Sequence, residues 1–273
     1  IFLSFILFFF FYMGIFMFSY FVNNYVIWWG VFLILSLSFI LINKLNEDSL
    51  PNIIYFIVQE SCGSFFLLFS FFNIQWLFLL IKVGVSPFIF WVFFFIENLK
   101  MSGLFWFLTL QKFPFMPILM MFFFNFIKIF FIGVLLVYLI FFMIKSLKTL
   151  ICLNSIESFS WLLMLFYFFY FSCFYLFIFY ILSFYLLIFN DSFELSIFLL
   201  SVPLTPSFFI KFLSLSFMSE SLLIFWFILS MMLLSLLSLF YQFVWLFLKF
   251  KNKSIMNSFF FFFFILIFFF CII

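Results

Sequence analysis

The chain has no histidine, no arginine and no alanine among its 273 residues. Without histidine there is no haem ligand, no usual catalytic zinc site, no Ser-His-Asp triad and no ordinary general base. Charge is nearly as scarce: Asp, Glu, Lys and Arg together make up 7%, against about 25% in a soluble domain. The four cysteines, Cys62, Cys152, Cys173 and Cys271, are scattered and form no C-x-x-C pair, so neither a metal nor a cluster has a ligand set at sequence level. The six glycines stand apart from one another, which excludes the G-x-G-x-x-G and Walker loops that cradle phosphates. The chain alone is therefore expected to hold no metal, nucleotide or redox cofactor.

What fills the space is apolar. Hydrophobic residues make up 71% and aromatics 31%, and phenylalanine alone supplies 66 positions. A soluble fold is excluded, because too little polar surface exists to coat one. The expectation is an all-α integral membrane protein, and a net charge of +3 then says nothing about nucleic acid. The missing residues share a genetic cause. Ala, His and most Arg codons require cytosine, whereas Phe, Leu, Ile and Tyr use T-rich codons. Arg can also be written AGA or AGG, yet none occurs while serine is abundant, as expected where those codons are read as serine. The composition implies an AT-rich mitochondrial gene. Ile1 reads as a non-standard initiator or as a trimmed N-terminus.

A bilayer core of about 30 Å needs around 20 apolar residues per helix, and backbone polar groups in lipid must be satisfied within helices. Polar clusters divide the chain into eleven expected spans: 1–22, 25–43, 51–72, 74–96, 102–123, 126–144, 149–170, 173–189, 193–217, 220–246 and 257–273. Alternating sides from the N-terminus places Lys44, Lys100, Lys145, Lys148, Lys249, Lys251 and Lys253 on one side and Lys128 on the other. That asymmetry is the positive-inside pattern, so the N-terminus is expected on the matrix side and the C-terminus on the intermembrane-space side. Residues 1–273 form one polytopic domain, with 1–123 as a first five-helix repeat, 126–246 as a second, inverted one, and 257–273 as a C-terminal helix. The six phenylalanines at 259–264 read as lipid-facing surface.

Three lysines, Lys82, Lys112 and Lys211, fall inside spans rather than loops, as do two acids, Glu60 and Glu157. At a rise of about 1.5 Å per residue, Glu60, Lys112 and Glu157 lie about 12–15 Å from the matrix end of their helices, and Lys82 about 12 Å from the other face. Ionisable groups at that depth are costly and mark ion or proton pathways. A lysine snorkelling to the interface is the plainer alternative; it suits Lys211 and fits Lys112 poorly. Prolines sharpen the pattern. Pro87 removes the backbone bond to the Val83 carbonyl beside Lys82, and Pro203 with Pro206 interrupts the helix before Lys211. These are spans four and nine, the fourth of each repeat, and paired broken helices mark the site in many transporters built from inverted repeats.

The stretch K-V-G-V-S-P-F-I-F-W at 82–91, then S-G at 102–103 and T-L-Q-K-F-P at 109–114, resembles the K-x-G-x-x-P-x-x-F-W, S-G and T-W-Q-K-x-x-P run of the NADH dehydrogenase subunit 2 family. This is the antiporter-like subunit of mitochondrial complex I, here in a nematode-like form. Tyr55 and Phe56 with Gln59, Ser155 and Ile156 with Trp161, and the segment 203–211 add weaker support. The resemblance implies proton transfer through Lys82, Lys112 and Lys211, and the embedded Glu60 and Glu157 are read beside them as further proton-transfer groups. It also implies neighbouring membrane-arm subunits and inner-membrane lipids as partners. NADH, flavin, iron–sulfur clusters and ubiquinone are then expected on other subunits. Three positions depart from the family: Phe32 stands where a Glu is usual, Ile89 replaces a His, and a later His is lost near Ser158. Glu60, on the next helix at a depth similar to Phe32, is therefore expected to serve as the acid facing Lys82.

Burial disfavours the ammonium form of lysine and a nearby carboxylate favours it. A lysine whose acidic neighbour comes and goes can thus load and release a proton. Two other functions use the same features: a self-standing cation/proton antiporter or secondary transporter, which would need a substrate pocket, and a non-catalytic membrane scaffold. Cytochrome b and the large oxidase subunits need His ligands, and the ATP synthase proton channel depends on an Arg, so the composition excludes them.

Overall fold

The computed structural model describes residues 2–44, 49–70, 74–143 and 146–168, together with 177–178, 180–181, 184, 211–212, 229–237 and 241. Every regular element among the described residues is an α-helix. They run α1 (Phe2–Phe21), α2 (Tyr25–Lys44), α3 (Ser49–Leu68), α4 (Gln75–Val83), α5 (Phe90–Glu97), α6 (Met101–Leu108), α7 (Phe115–Met121), α8 (Phe123–Phe141) and α9 (Leu147–Phe168). The first seven expected spans correspond to α1, α2, α3, α4 with α5, α6 with α7, α8 and α9. Among the described residues one helical stretch, Tyr25–Asn43, is long and apolar enough to cross a membrane, and Phe10–Phe21 and Phe131–Phe141 are shorter apolar stretches. The proline pair Pro203 and Pro206, and with it the expected second broken helix, lies outside the described residues.

Local chemistry sets the boundaries. Asn24 caps α2: its side-chain oxygen accepts from the Val26 N–H at 3.0 Å, as expected of an N-cap asparagine. Lys148 Nζ donates to the Leu99 carbonyl at 2.8 Å and to the Glu97 carbonyl at 3.2 Å. It thereby places a cation on the carbonyl end of α5, where the helix dipole favours one.

The fourth span is broken between α4 and α5 by a Schellman turn. Gly84 takes φ 69°, the left-handed conformation that side-chain-bearing residues resist. The Val85 N–H bonds the Leu80 carbonyl and the Gly84 N–H bonds the Ile81 carbonyl, both at 3.1 Å. Two side chains occupy carbonyls at the end of α4: Trp91 Nε1 donates to Ile81 at 2.9 Å and Gln59 Nε2 donates to Lys82 at 2.8 Å. The peptide bond before Pro87 is cis. Helix α8 packs directly on this break at Gly133, where a Cβ would come within 2.6 Å of the Ser86 carbonyl carbon.

The fifth span is broken as well, which corrects the expectation of a continuous helix over 102–123. Residues 109–114 form turns, because Pro114 and Pro117 withhold the N–H groups that would bond Leu110 and Phe113. The ladder shifts to a Gln111 N–H bond onto Trp106 and a Lys112 N–H bond onto Thr109. The Leu108 carbonyl, passed over in this shift, accepts from the Tyr180 hydroxyl at 2.9 Å. Lys112 therefore sits in the break and not in mid-helix.

The interior is organised around these segments. Residues 103–120 and 149–165 are buried without exception, so α6, α7 and α9 form the centre. Helices α2, α3 and α5 pack around them and turn large side chains such as Leu41, Ile57, Phe90 and Phe94 outward.

Candidate functional site

Lys82 projects from the last turn of α4 into the interior, where it is 3% exposed. Its Nζ lies 4.6 Å from the centre of the Phe32 ring, a cation–π geometry. A Cβ on Gly63 of α3 would come within 3.2 Å of it, so that glycine makes room for the ammonium. Among the described residues Lys82 Nζ has no hydrogen-bond partner. Glu60 is the acid whose charge acts on Lys82, but the two do not form an ion pair. The Glu60 carboxylate instead accepts from Ser36 Oγ at 3.0 Å. Ser36 and Phe32 are four residues apart and share a face of α2, about 6 Å apart along its axis. The place beside the ammonium is taken by the Phe32 ring and Gly63, and the Glu60 carboxylate is engaged with Ser36 one turn away along α2.

Lys112, also 3% exposed, donates to Ser155 Oγ of α9 at 3.3 Å and lies 5.2 Å from the centre of the Phe159 ring. Lys82 and Lys112 line one buried cavity of about 10 Å³, together with Val83, Phe107, Gln111 and Phe115. The two breaks bring them there, since each lysine sits at a point where its helix ends. Gln111 donates its side-chain N–H to the Tyr55 hydroxyl, and its Oε1 is buried without a partner among the described residues.

Lys211 does not snorkel. It is 3% exposed and forms an ion pair with Glu157, itself 1% exposed, at 2.5 Å. Around the pair, the Tyr138 hydroxyl donates to Glu157 at 3.0 Å and Trp161 Nε1 donates to Tyr138 at 3.3 Å. Lys211 Nζ also donates to Ser235 Oγ at 3.1 Å. On α9, Ser155 and Glu157 are two residues apart and so point about 200° apart around the axis. Helix α9 therefore stands between Lys112 and the Glu157–Lys211 pair.

All five residues singled out in the sequence are thus held in the interior or at its edge, with Glu60 the least buried. Lys82 joins Lys112 at one cavity, Glu157 joins Lys211, and Glu60 joins Ser36. The sequence left Tyr138, Ser235, Gly63 and Tyr180 unmarked. Serine and tyrosine are too frequent in this chain to stand out, and nothing in their spacing points to the charges they meet. At the departures from the family, Ile89 is a fully buried apolar side chain, and Ser158 spends its hydroxyl on the Asn154 carbonyl at 2.7 Å. Among the described residues no cluster of three His, Cys, Asp or Glu side chains offers a metal site.

No protein-family model matches the chain. It is 38% identical over 204 residues to NADH-ubiquinone oxidoreductase chain 2 of Caenorhabditis elegans, covering 71% of this chain and 72% of that one. It is 35% identical over 207 residues to the protein of the same name from Ascaris suum, covering 72% of this chain and 69% of that one. The matches extend over most of both partners, and the resemblance first carried by residues 82–114 is that of the whole family: this chain belongs to the NADH-ubiquinone oxidoreductase chain 2 family.

Proposed function

We propose that this chain is a proton-translocating subunit in the membrane arm of mitochondrial NADH–ubiquinone oxidoreductase. In this reading it spans the inner membrane about eleven times, as two inverted five-helix repeats and a final helix, with its N-terminus in the matrix. Redox chemistry belongs to other subunits, which hold the flavin, the iron–sulfur clusters and the quinone. The chain contributes proton movement through Lys82, Lys112, Glu157 and Lys211, with Glu60 acting on the first of these.

The observation that carries the reading is the difference between the two ends of the array. Lys211 touches a carboxylate, whereas among the described residues no acid touches Lys82 or Lys112 at the cavity they share. A buried lysine in contact only with rings and hydroxyls gives up its proton readily, and one in contact with a carboxylate keeps it. A proton entering near Glu60 can pass Lys82 and Lys112 and reach Glu157 and Lys211 across α9. Any change that separates Glu157 from Lys211, or brings a proton to Glu60, shifts the balance along this row. The outward apolar faces of α2, α3 and α5 suit lipid and neighbouring subunits.

The test is purification from mitochondria under mild detergent. The chain is expected to migrate with NADH:ubiquinone reductase activity in one large assembly. A chain found apart from every NADH-oxidising assembly would overturn the proposal in favour of a self-standing transporter.

A further inference from the structure

Helix α8 touches both halves of the candidate site, through two residues that the proposed path does not use. It packs on α4 and on α9. Gly133 is buried against the first break. A Cβ there would come within 2.6 Å of the Ser86 carbonyl carbon, and within 2.8 Å of the Pro87 nitrogen and the Ser86 Cβ. Two of those atoms are backbone and cannot turn aside as the tip of a side chain can. Ser86 is fully buried, and its hydroxyl has no hydrogen-bond partner among the described residues, so close contact and not that hydroxyl makes the seat. Lys82 lies four residues before Ser86, and the turn between them is fixed by the Gly84 and Val85 N–H bonds onto Ile81 and Leu80. A push on Ser86 is therefore felt at Lys82.

Five residues further along α8, about 7.5 Å up the axis and about 140° around it, Tyr138 faces α9. It is 1% exposed; its hydroxyl donates to Glu157 at 3.0 Å and accepts from Trp161 Nε1 at 3.3 Å. A close-packed interior transmits strain, and a helix bonded at every turn moves as one body over so short a stretch. We propose that Gly133 and Tyr138 are positioning residues, and that α8 between them couples the place of Lys82 at the first break to the place of Glu157 beside Lys211. This role rests on the proton-translocating reading above. Neither residue carries a proton in it: Gly133 sets how closely the break lies on α8, and Tyr138 holds the Glu157 carboxylate to the same helix.

The experiment is a double-mutant cycle in the assembled complex, read as protons translocated per NADH at equal complex content and as a density map of each variant. Gly133→Ala adds the one carbon for which there is no room. Tyr138→Phe removes the hydroxyl and keeps the ring. Ser86→Gly loosens the same seat without adding bulk, and replaces Gly133→Ala in the cycle if that variant does not assemble. Each single change should lower translocation by about threefold or more, whereas a merely structural role would lower complex content and leave the ratio to NADH unchanged. If both act through α8, the double variant should lose less than the product of the two single losses, by about twofold or more. The map of the variant at the seat should show the Tyr138 hydroxyl displaced from Glu157, although that contact lies five residues away. Single variants with the wild-type ratio overturn the proposal, as do losses that simply multiply. So does a map in which Ser86 and Pro87 move while the Tyr138–Glu157 contact stays in place. Failure of the wider reading is seen separately, as normal translocation in a Lys112→Met complex; the displacement of Tyr138 does not depend on that result.

Discussion

Glu157→Gln removes one charge from the tightest contact in the candidate site and little else. Glutamine keeps the length of the side chain and an oxygen for the Tyr138 hydroxyl, which lies 3.0 Å from the carboxylate. What is lost is the ion pair with Lys211 at 2.5 Å, between groups 1% and 3% exposed. Removing one partner of a buried pair costs about 3–5 kcal/mol while the other stays charged. Ser235 Oγ, 3.1 Å from Lys211 Nζ, is a neutral acceptor and offsets only part of this. A proton relay passing through the pair should then stall. The assay is acidification of vesicles containing the assembled complex, normalised to NADH oxidised and to complex content. Glu157→Gln is expected to lower proton translocation by about tenfold or more, with Glu157→Asp, which keeps the charge on a shorter arm, in between. Full translocation by Glu157→Gln at normal complex content would refute the argument. A loss of complex with unchanged translocation per remaining complex would assign the pair to stability alone.

Other perturbations follow from the same geometry. Gly63→Val places branched carbon where Lys82 Nζ stands and should slow translocation, with Gly63→Ala milder; equal activity in all three proteins would show that Lys82 has other room. Glu60→Gln should reduce translocation, because Glu60 is the acid acting on Lys82, and adding Phe32→Glu should restore part of it by supplying a carboxylate where the ring now faces the ammonium; no recovery in the double variant would argue against the acid's role. Tyr180→Phe strips the donor from the Leu108 carbonyl and should cost about 1–3 kcal/mol, measured as a lower thermal midpoint of the assembled complex, while an unchanged midpoint would mean the carbonyl finds another partner.

The break at Gly84 was legible because its causes are local: a glycine placed for a left-handed turn, a proline three residues on, and a tryptophan that reaches back to a freed carbonyl. The break at Lys112 had comparable signals in Pro114 and Pro117, and in the polar Thr109, Gln111 and Lys112 before them, but the apolar stretches on either side joined 102–123 into one span. The burial of Lys82, Lys112 and Lys211 followed from the loop pattern, since lysines absent from loops must lie within helices. Their partners did not follow. Lys211 and Glu157 are far apart in sequence, and no spacing rule joins them. Depth arithmetic placed Glu60 near Phe32 to within a turn, yet position along an axis does not determine rotation about it. The Ser36 hydroxyl from which the Glu60 carboxylate accepts lay beyond that arithmetic.

The central claim is that buried lysines of this chain carry protons, and Lys112 tests it most directly. It lies in the second break, at the cavity shared with Lys82, and no acid among the described residues is in contact with it to give it a purely structural ion pair. Lys112→Met preserves bulk and removes the titratable amine. The measurement is protons translocated per NADH by the assembled variant complex beside the wild type. The account predicts normal assembly with translocation per NADH reduced or turnover stalled. A Lys112→Met complex that assembles, oxidises NADH and moves protons at the wild-type ratio would contradict it.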